Sequence, residues 1–302
     1  MDIKLPSLVI LSTALVACNS GGSDQDVSTS VGDFDRNLTM DLTDEDVQET
    51  IGIYIVSDLG VNFSLSLAGF YDEDSAESTL PIKMITKSLR TTYSEDDEIN
   101  CDSGSYIFSL YGSVADDNSS GDITLKSSAD HCQLSSSGSG DNYSYTGISE
   151  ADSNVVAAIT WTMADDEVTA LSSKVTGDME SAYVYNSVYE GESYTSGTLL
   201  KWSDLNSSSV LSGDYIETTT SYALYRESYD IYDSGETREG GSITVKTLEK
   251  LLYSVTDIGN GDAYPVDGKI KVTTGDTSAI YEFATTDYTV TVNGVSNLYE
   301  YD

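Results

Sequence analysis

Tyr288-Thr289-Val290-Thr291-Val292-Asn293-Gly294-Val295 is the stretch that decides the fold. Large apolar side chains fall at every second position, and a strand is the regular conformation that sends alternate residues to opposite sides. Asn-Gly accepts the two positive φ angles of a tight hairpin turn, so the chain should reverse at Asn293-Gly294 and return through residues 295–301. The same period appears upstream, where Ile270, Val272 and Thr274 alternate with Lys269, Lys271 and Thr273. Two earlier hairpins are implied by polar turns: residues 116–121 between 106–114 and 123–127, and Asp233-Ser234-Gly235 between 222–232 and 243–248. Period two dominates from about residue 79 onward. Consecutive strands joined by short turns make an antiparallel meander. The expected fold is therefore mainly β: one antiparallel sheet, shaped as an open barrel or a sandwich, forming a single domain over residues 43–302.

One helix is expected at the head of that domain. Thr43-Asp44-Glu45-Asp46 offers Thr43 as a cap with acids in the first turn. Val47, Ile51, Ile55, Leu59, Phe63 and Leu67 then recur every fourth residue, out to about Phe70. Gly60 breaks or bends that stripe. Ile51, Ile53 and Ile55, followed by Phe63, Leu65 and Leu67, also alternate, so a pair of strands is the competing reading of residues 43–70. Ahead of it, residues 19–42 are rich in Ser, Gly, Asp and Thr and hold few large apolar side chains. Such a segment buries too little surface to offset ordering and reads as a disordered tether, about 27 Å long as a flexible coil.

The N-terminus is a different kind of segment. An apolar run over residues 5–16, interrupted by Pro6, Ser7, Ser12 and Thr13, ends in Leu15-Val16-Ala17-Cys18. The run is too short to span a bilayer as a permanent helix. It resembles a bacterial lipoprotein signal peptide with its lipobox. That resemblance implies cleavage after Ala17, a diacylglycerol on the thiol of Cys18 and acylation of the new amino group. More than one acyl chain makes a stable anchor. Asn19, where an Asp would favour retention at the inner membrane, implies an outer-membrane lipoprotein facing the periplasm or the cell surface. Residues 1–17 are then the signal peptide and residues 18–42 the lipidated cysteine and tether. With Cys18 consumed, Cys101 and Cys132 are the two thiols left, and an oxidising compartment allows them to pair. The layout of Cys101-Asp102-Ser103-Gly104, Cys132 and residues 264–272 is similar to a group of uncharacterised proteobacterial lipoproteins, which brings no activity with it.

Composition narrows the partners. The formal charge is −37, from 51 acidic and 14 basic residues, so nucleic acid, acidic polysaccharide and anionic lipid are repelled. Tyrosine supplies 22 residues against 5 phenylalanines, so tyrosine must carry much of the packing. Tyr183, Tyr185 and Tyr189 fall on one side of a strand, either as core or as a surface that stacks on sugar rings. Tyr222, Tyr225, Tyr229 and Tyr232 crowd a later hairpin. His131 is the sole histidine and is read as a loop residue beside the disulfide; no GxSxG serine accompanies it. In 116–127, Asp116, Asn118, Ser120 and Asp122 hold alternate positions of a calcium-loop pattern, with Gly121 sixth and Ile123 eighth. Ser127 stands where the bidentate glutamate belongs, so calcium competes with a plain hairpin turn. The function expected is that of a binding or structural component of the envelope, its partner a surface glycan or an envelope protein. The alternatives are a tethered polysaccharide hydrolase and a lipid carrier. Replacing Cys18 with alanine should abolish incorporation of labelled fatty acid and detergent-phase partitioning; a Cys18→Ala chain that still takes up label rules the anchor out.

Overall fold

The computed structural model describes residues 34–52, 91–115, 119–140, 142–164, 167–232, 234–260 and 264–301. Their strands are β1 (Thr91–Ile99), β2 (Ser103–Val114), β3 (Ser120–Ser139), β4 (Tyr143–Ala164), β5 (Glu167–Tyr189), β6 (Glu192–Ser212), β7 (Tyr215–Tyr232), β8 (Gly235–Ser254), β9 (Pro265–Thr274), β10 (Thr277–Phe283), β11 (Asp287–Val292) and β12 (Val295–Glu300). They form one 12-stranded antiparallel sheet in strict chain order, a meander in which each strand pairs with its sequence neighbours. The expected hairpins are present: Val292 pairs with Val295 around Asn293 and Gly294, at φ 51° and 81°, and Tyr232 pairs with Gly235. Among the described residues there are two short helices, α1 (Glu45–Thr50) and α2 (Val255–Asn260), the second without a counterpart in the sequence reading.

The central strands are long. β5 runs for 23 residues, roughly 75 Å if fully extended, where five or six residues is usual. Three strands carry an extra residue or more near mid-length. In β3, Asp130 and His131 lie between the pairs Ala129–Ser153 and Cys132–Ala151, so two residues oppose Asp152 alone. In β6, Ser203 and Asp204 oppose Asp178, and in β8 residues 247–250 bulge against β7. Bulges bend a strand and increase its twist.

Burial changes sides near these bulges. On one face, which carries Trp161 and Trp202, an apolar cluster runs from Val114 and Ile123 through Val175, Leu224, Val245 and Val272 to Tyr281 and Val290. On the opposite face a second cluster holds Ala182, Val184, Leu199, Tyr225 and Tyr229. β7 shows the switch between the paired neighbours Leu224 and Tyr225, just past the register shift at Tyr222: Ile216, Tyr222 and Leu224 are buried on the tryptophan face, then Tyr225, Glu227 and Tyr229 on the other. Each large apolar side chain so covered contributes about 1.5 to 3 kcal/mol.

The cover on the opposite face is the chain's own N-terminal segment. Residues 34–42, assigned from composition to the tether, lie against the sheet as a strap. Phe34 is buried against the ring of Tyr229, at 5.3 Å between centroids, and Leu38 packs on the same cluster. Glu227, with no exposed surface, accepts from the amides of Asp35 (2.9 Å) and Arg36 (3.1 Å), from the hydroxyl of Tyr225 and from the guanidinium of Arg238. Beyond this point the strap reaches β8 where β9 does not: Ser242 donates to the carbonyl of Leu38 (3.1 Å), and Thr39 bridges Ser242 in parallel. Gly241 permits the approach, since a Cβ there would sit 2.4 Å from the amide nitrogen of Met40.

The strap then delivers Leu42 and α1 to the tryptophan-face cluster. Asp44, one residue beyond the expected Thr43, is the N-cap, accepting from the amide of Asp46, while Thr43 donates to Asp41. Buried Gln48 donates to the carbonyl of Leu42 and accepts from Asn297 and Tyr299, tying α1 to β12. Of the expected helical stripe, Ile51 is buried and Val47 partly so. Residues 53–90, with the rest of the stripe, lie outside the described residues, as do residues 1–33.

Burial opposes the charge on Glu227, but the donors from Tyr225, the strap amides and Arg238 outweigh it and hold the carboxyl below its ordinary range. A depressed folded-state pKa gives stability that is full above the unfolded value of about 4.3 and fades as pH falls through the folded value. Acidification below about pH 4 should therefore free the strap, read as rising amide exchange at Asp35 and Arg36. Glu227→Gln should destabilise by roughly 3 kcal/mol in urea titrations and accelerate the same two amides at pH 7. Unchanged exchange in that variant contradicts the latch.

Candidate functional site

With the strap on one face, the far end of β4–β7 presents a different surface on the other. Strand pairing places Tyr143 opposite Tyr189, Gly147 opposite Tyr185, Ser187 opposite Tyr194 and Tyr194 opposite Tyr232. Period two therefore brings Tyr143, Tyr145, Tyr183, Tyr185, Tyr189, Tyr194 and Tyr232 to the tryptophan face, beyond the point where its core ends. The sequence reading of Tyr183, Tyr185 and Tyr189 on one side holds in the structure. The rings meet across strands: Tyr145 stacks on Tyr185 at 5.9 Å, Tyr185 meets Tyr194 at 6.5 Å, and Tyr194 meets Tyr232 at 4.9 Å. Four adjacent strands make this strip about 14 Å long.

Two features give the strip its form. The ring of Tyr145 lies down over Gly138 on β3, where a Cβ would come within 2.5 Å of it, so the ring flattens on the sheet. The hydroxyl of Tyr194 donates to Asp230 at 2.7 Å, which fixes that ring and raises the pKa of its phenol. Tyr189 is 63% exposed and Tyr143 and Tyr232 are each 52% exposed, while Tyr145, Tyr183, Tyr185 and Tyr194 are half-buried. The later tyrosine group does not stay together. Tyr222 is buried on the tryptophan face and Tyr225 and Tyr229 on the opposite one, and Tyr232 alone of the four joins the strip.

The opposite face carries charge in a band along the bulges. Glu180 binds Arg36 of the strap at 2.7 Å and Lys201 at 2.9 Å; these cations outweigh the effect of burial and lower its pKa. Behind this band, on the tryptophan face, an open cleft of about 280 Å³ lies over the directly paired row Ala129, Ser153, Met179 and Trp202. At the β3 end of the charged band stands His131, which the structure places in β3 rather than in a loop. The extra residue of the bulge is what turns it, at φ 47°, toward β4. Its Nδ1 lies 3.0 Å from Asp152 and 3.4 Å from Glu150, and those carboxylates, Asp152 foremost, raise the imidazole pKa. The amide of His131 also donates to Asp152 at 2.8 Å, so one carboxylate holds both the backbone and the ring.

The remaining sequence candidates fall in three places. Cys18 is outside the described residues. So are Asp116 and Asn118 of the calcium pattern; Ser120 and Asp122 are strand residues of β3, where the carbonyl of Ser120 accepts from Ala115 to close the β2–β3 hairpin. Cys101 and Cys132 are joined, with Sγ atoms 2.01 Å apart. The bond ties the approach to β2 directly to the residue after His131. Among the described residues no helix is long and apolar enough to cross a membrane, which says nothing of a β-barrel.

No protein-family model matches the chain, and neither a curated protein nor a solved structure is found to match it. The chemistry of its sites therefore rests on their own geometry.

Replacing Cys101 and Cys132 together by serine opens a loop of sequence separation 31. It should cost about 3 to 4 kcal/mol in urea denaturation under oxidising conditions. Equal midpoints for parent and double variant would show that the bond does not form.

Proposed function

We propose that this chain is an outer-membrane lipoprotein, held by lipid on Cys18, whose work is to bind a neutral glycan on the tyrosine strip of β4–β7. The observation that carries the reading is the row Tyr145, Tyr185, Tyr194 and Tyr232, half-buried to exposed, in mutual contact and crossing four strands on an otherwise hydroxyl-rich surface. Tyrosine combines a large rigid apolar face with a polar tip, which suits a sugar: the C–H face of the ring lies on the aromatic, and the hydroxyls reach Tyr Oη and neighbouring Ser, Thr and Asp side chains. Buried polar atoms of the ligand would then find partners, as a binding surface requires. The net charge of −37 selects for neutral or cationic ligands and against acidic polymers. The lipobox supports the location, since a tethered binder on the envelope meets glycans where they lie.

Electrophoresis of the full chain through gels carrying neutral polysaccharides should show retardation by at least one of them. Tyr185→Ala and Tyr194→Ala should each weaken it about tenfold, the equivalent of losing one ring contact of roughly 1.4 kcal/mol. Tyr194→Phe should keep most of the affinity. A chain that no neutral polysaccharide retards, or alanine variants retarded like the parent, would overturn the assignment.

A further inference from the structure

The bulge in β3 does more than bend a strand. In an unbroken strand Asp130 and His131 would point to opposite faces, but here both oppose Asp152. Glu150, two residues from Asp152 on the same strand, falls on the same side. The result is a nitrogen ligand converging with carboxylates from two strands. The ligand atoms of Asp130, His131 and Asp152 all lie within 4.8 Å of one another, and Glu150 approaches the same imidazole nitrogen at 3.4 Å.

We infer that Asp130, His131 and Asp152 bind a divalent d-block cation of the zinc class. The spacing fits such an ion. Bonds of about 2.1 Å put neighbouring ligands about 3.0 Å apart in an octahedron and about 3.4 Å apart in a tetrahedron. The 3.0 Å from His131 Nδ1 to Asp152 is the octahedral spacing, and the exposed carboxylate of Asp130, within 4.8 Å of both, closes on the same ion by a side-chain rotation. Donor chemistry decides the class. Calcium and magnesium favour all-oxygen sites, whereas an imidazole among carboxylates suits zinc and its neighbours. This is what separates the cluster from the acidic runs elsewhere in the chain: it holds the chain's sole histidine. The site lies on a different face from the tyrosine strip and does not depend on it. His131 is 73% exposed, so an ion there keeps water in its remaining positions. The Cys101–Cys132 bond, at the next residue, braces the bulge that supplies two of the ligands.

The sole histidine makes the test direct. Selective labelling of histidine in the full-length protein, purified without a histidine tag, gives one imidazole signal. Zinc at neutral pH should move that signal and saturate it at one equivalent. Magnesium at the same ionic strength should leave it in place. Calorimetry should find zinc affinity at least tenfold weaker in His131→Asn and in Asp152→Asn. Both variants are chosen to spare the fold: asparagine accepts the positive φ at 131, and at 152 it still offers an oxygen to the amide of His131. An imidazole signal that zinc moves no further than magnesium would overturn the site and leave an ordinary ion pair. A zinc isotherm unchanged in His131→Asn would overturn it equally, and the labelled parent protein decides the question alone if a variant fails to fold.

Discussion

A fully buried carboxylate is tolerated only when its charge is met by donors, because desolvation of a lone ion costs several kcal/mol. Glu227 sits in the middle of a strand with no exposed surface, and two of its donors are backbone amides of residues 35 and 36, nearly two hundred positions away. The strap and the charge therefore require each other. From that pairing follows the two-sided organisation of the sheet. Where the strap lies, the opposite face becomes core under Phe34 and Leu38, and the tryptophan face is left for the tyrosines. Past the bulges the roles reverse, and Leu42 and Ile51 enter the cluster on the other side, with Gln48 buried beside them.

Much of the sheet was legible because strand periodicity is written in adjacent residues. Residues 288–295 carry both the alternation and the turn, and the structure has both. Parity even explains the scattering of Tyr222, Tyr225, Tyr229 and Tyr232: even and odd positions in one strand go to opposite faces, which crowding in sequence conceals. The disulfide was legible by counting.

The strap was not legible, for two reasons. Its anchors are two apolar residues diluted among serine, glycine and acids, so an average over residues 19–42 hides them. Their main partner is a glutamate, which any reading by hydropathy assigns to water. The cap moved from Thr43 to Asp44 because both offer an oxygen at the right place, and only backbone geometry chooses between them. His131 was misplaced for a related reason. A bulge adds one residue to one strand without altering composition, so nothing in the local sequence announces that Asp130 and His131 share a side.

The strap also fixes where a load enters the fold. Tension carried by the chain ahead of Phe34 does not reach the sheet at an edge strand, where ladder bonds can break in succession like the teeth of a zipper. It arrives at mid-sheet, on Glu227, on the ion pair of Arg36 with Glu180 and on the bridge to Ser242, and these bear the pull together. Contacts loaded in parallel must fail at once, so a body hung from its N-terminus by this arrangement resists tugging better than a peeled hairpin.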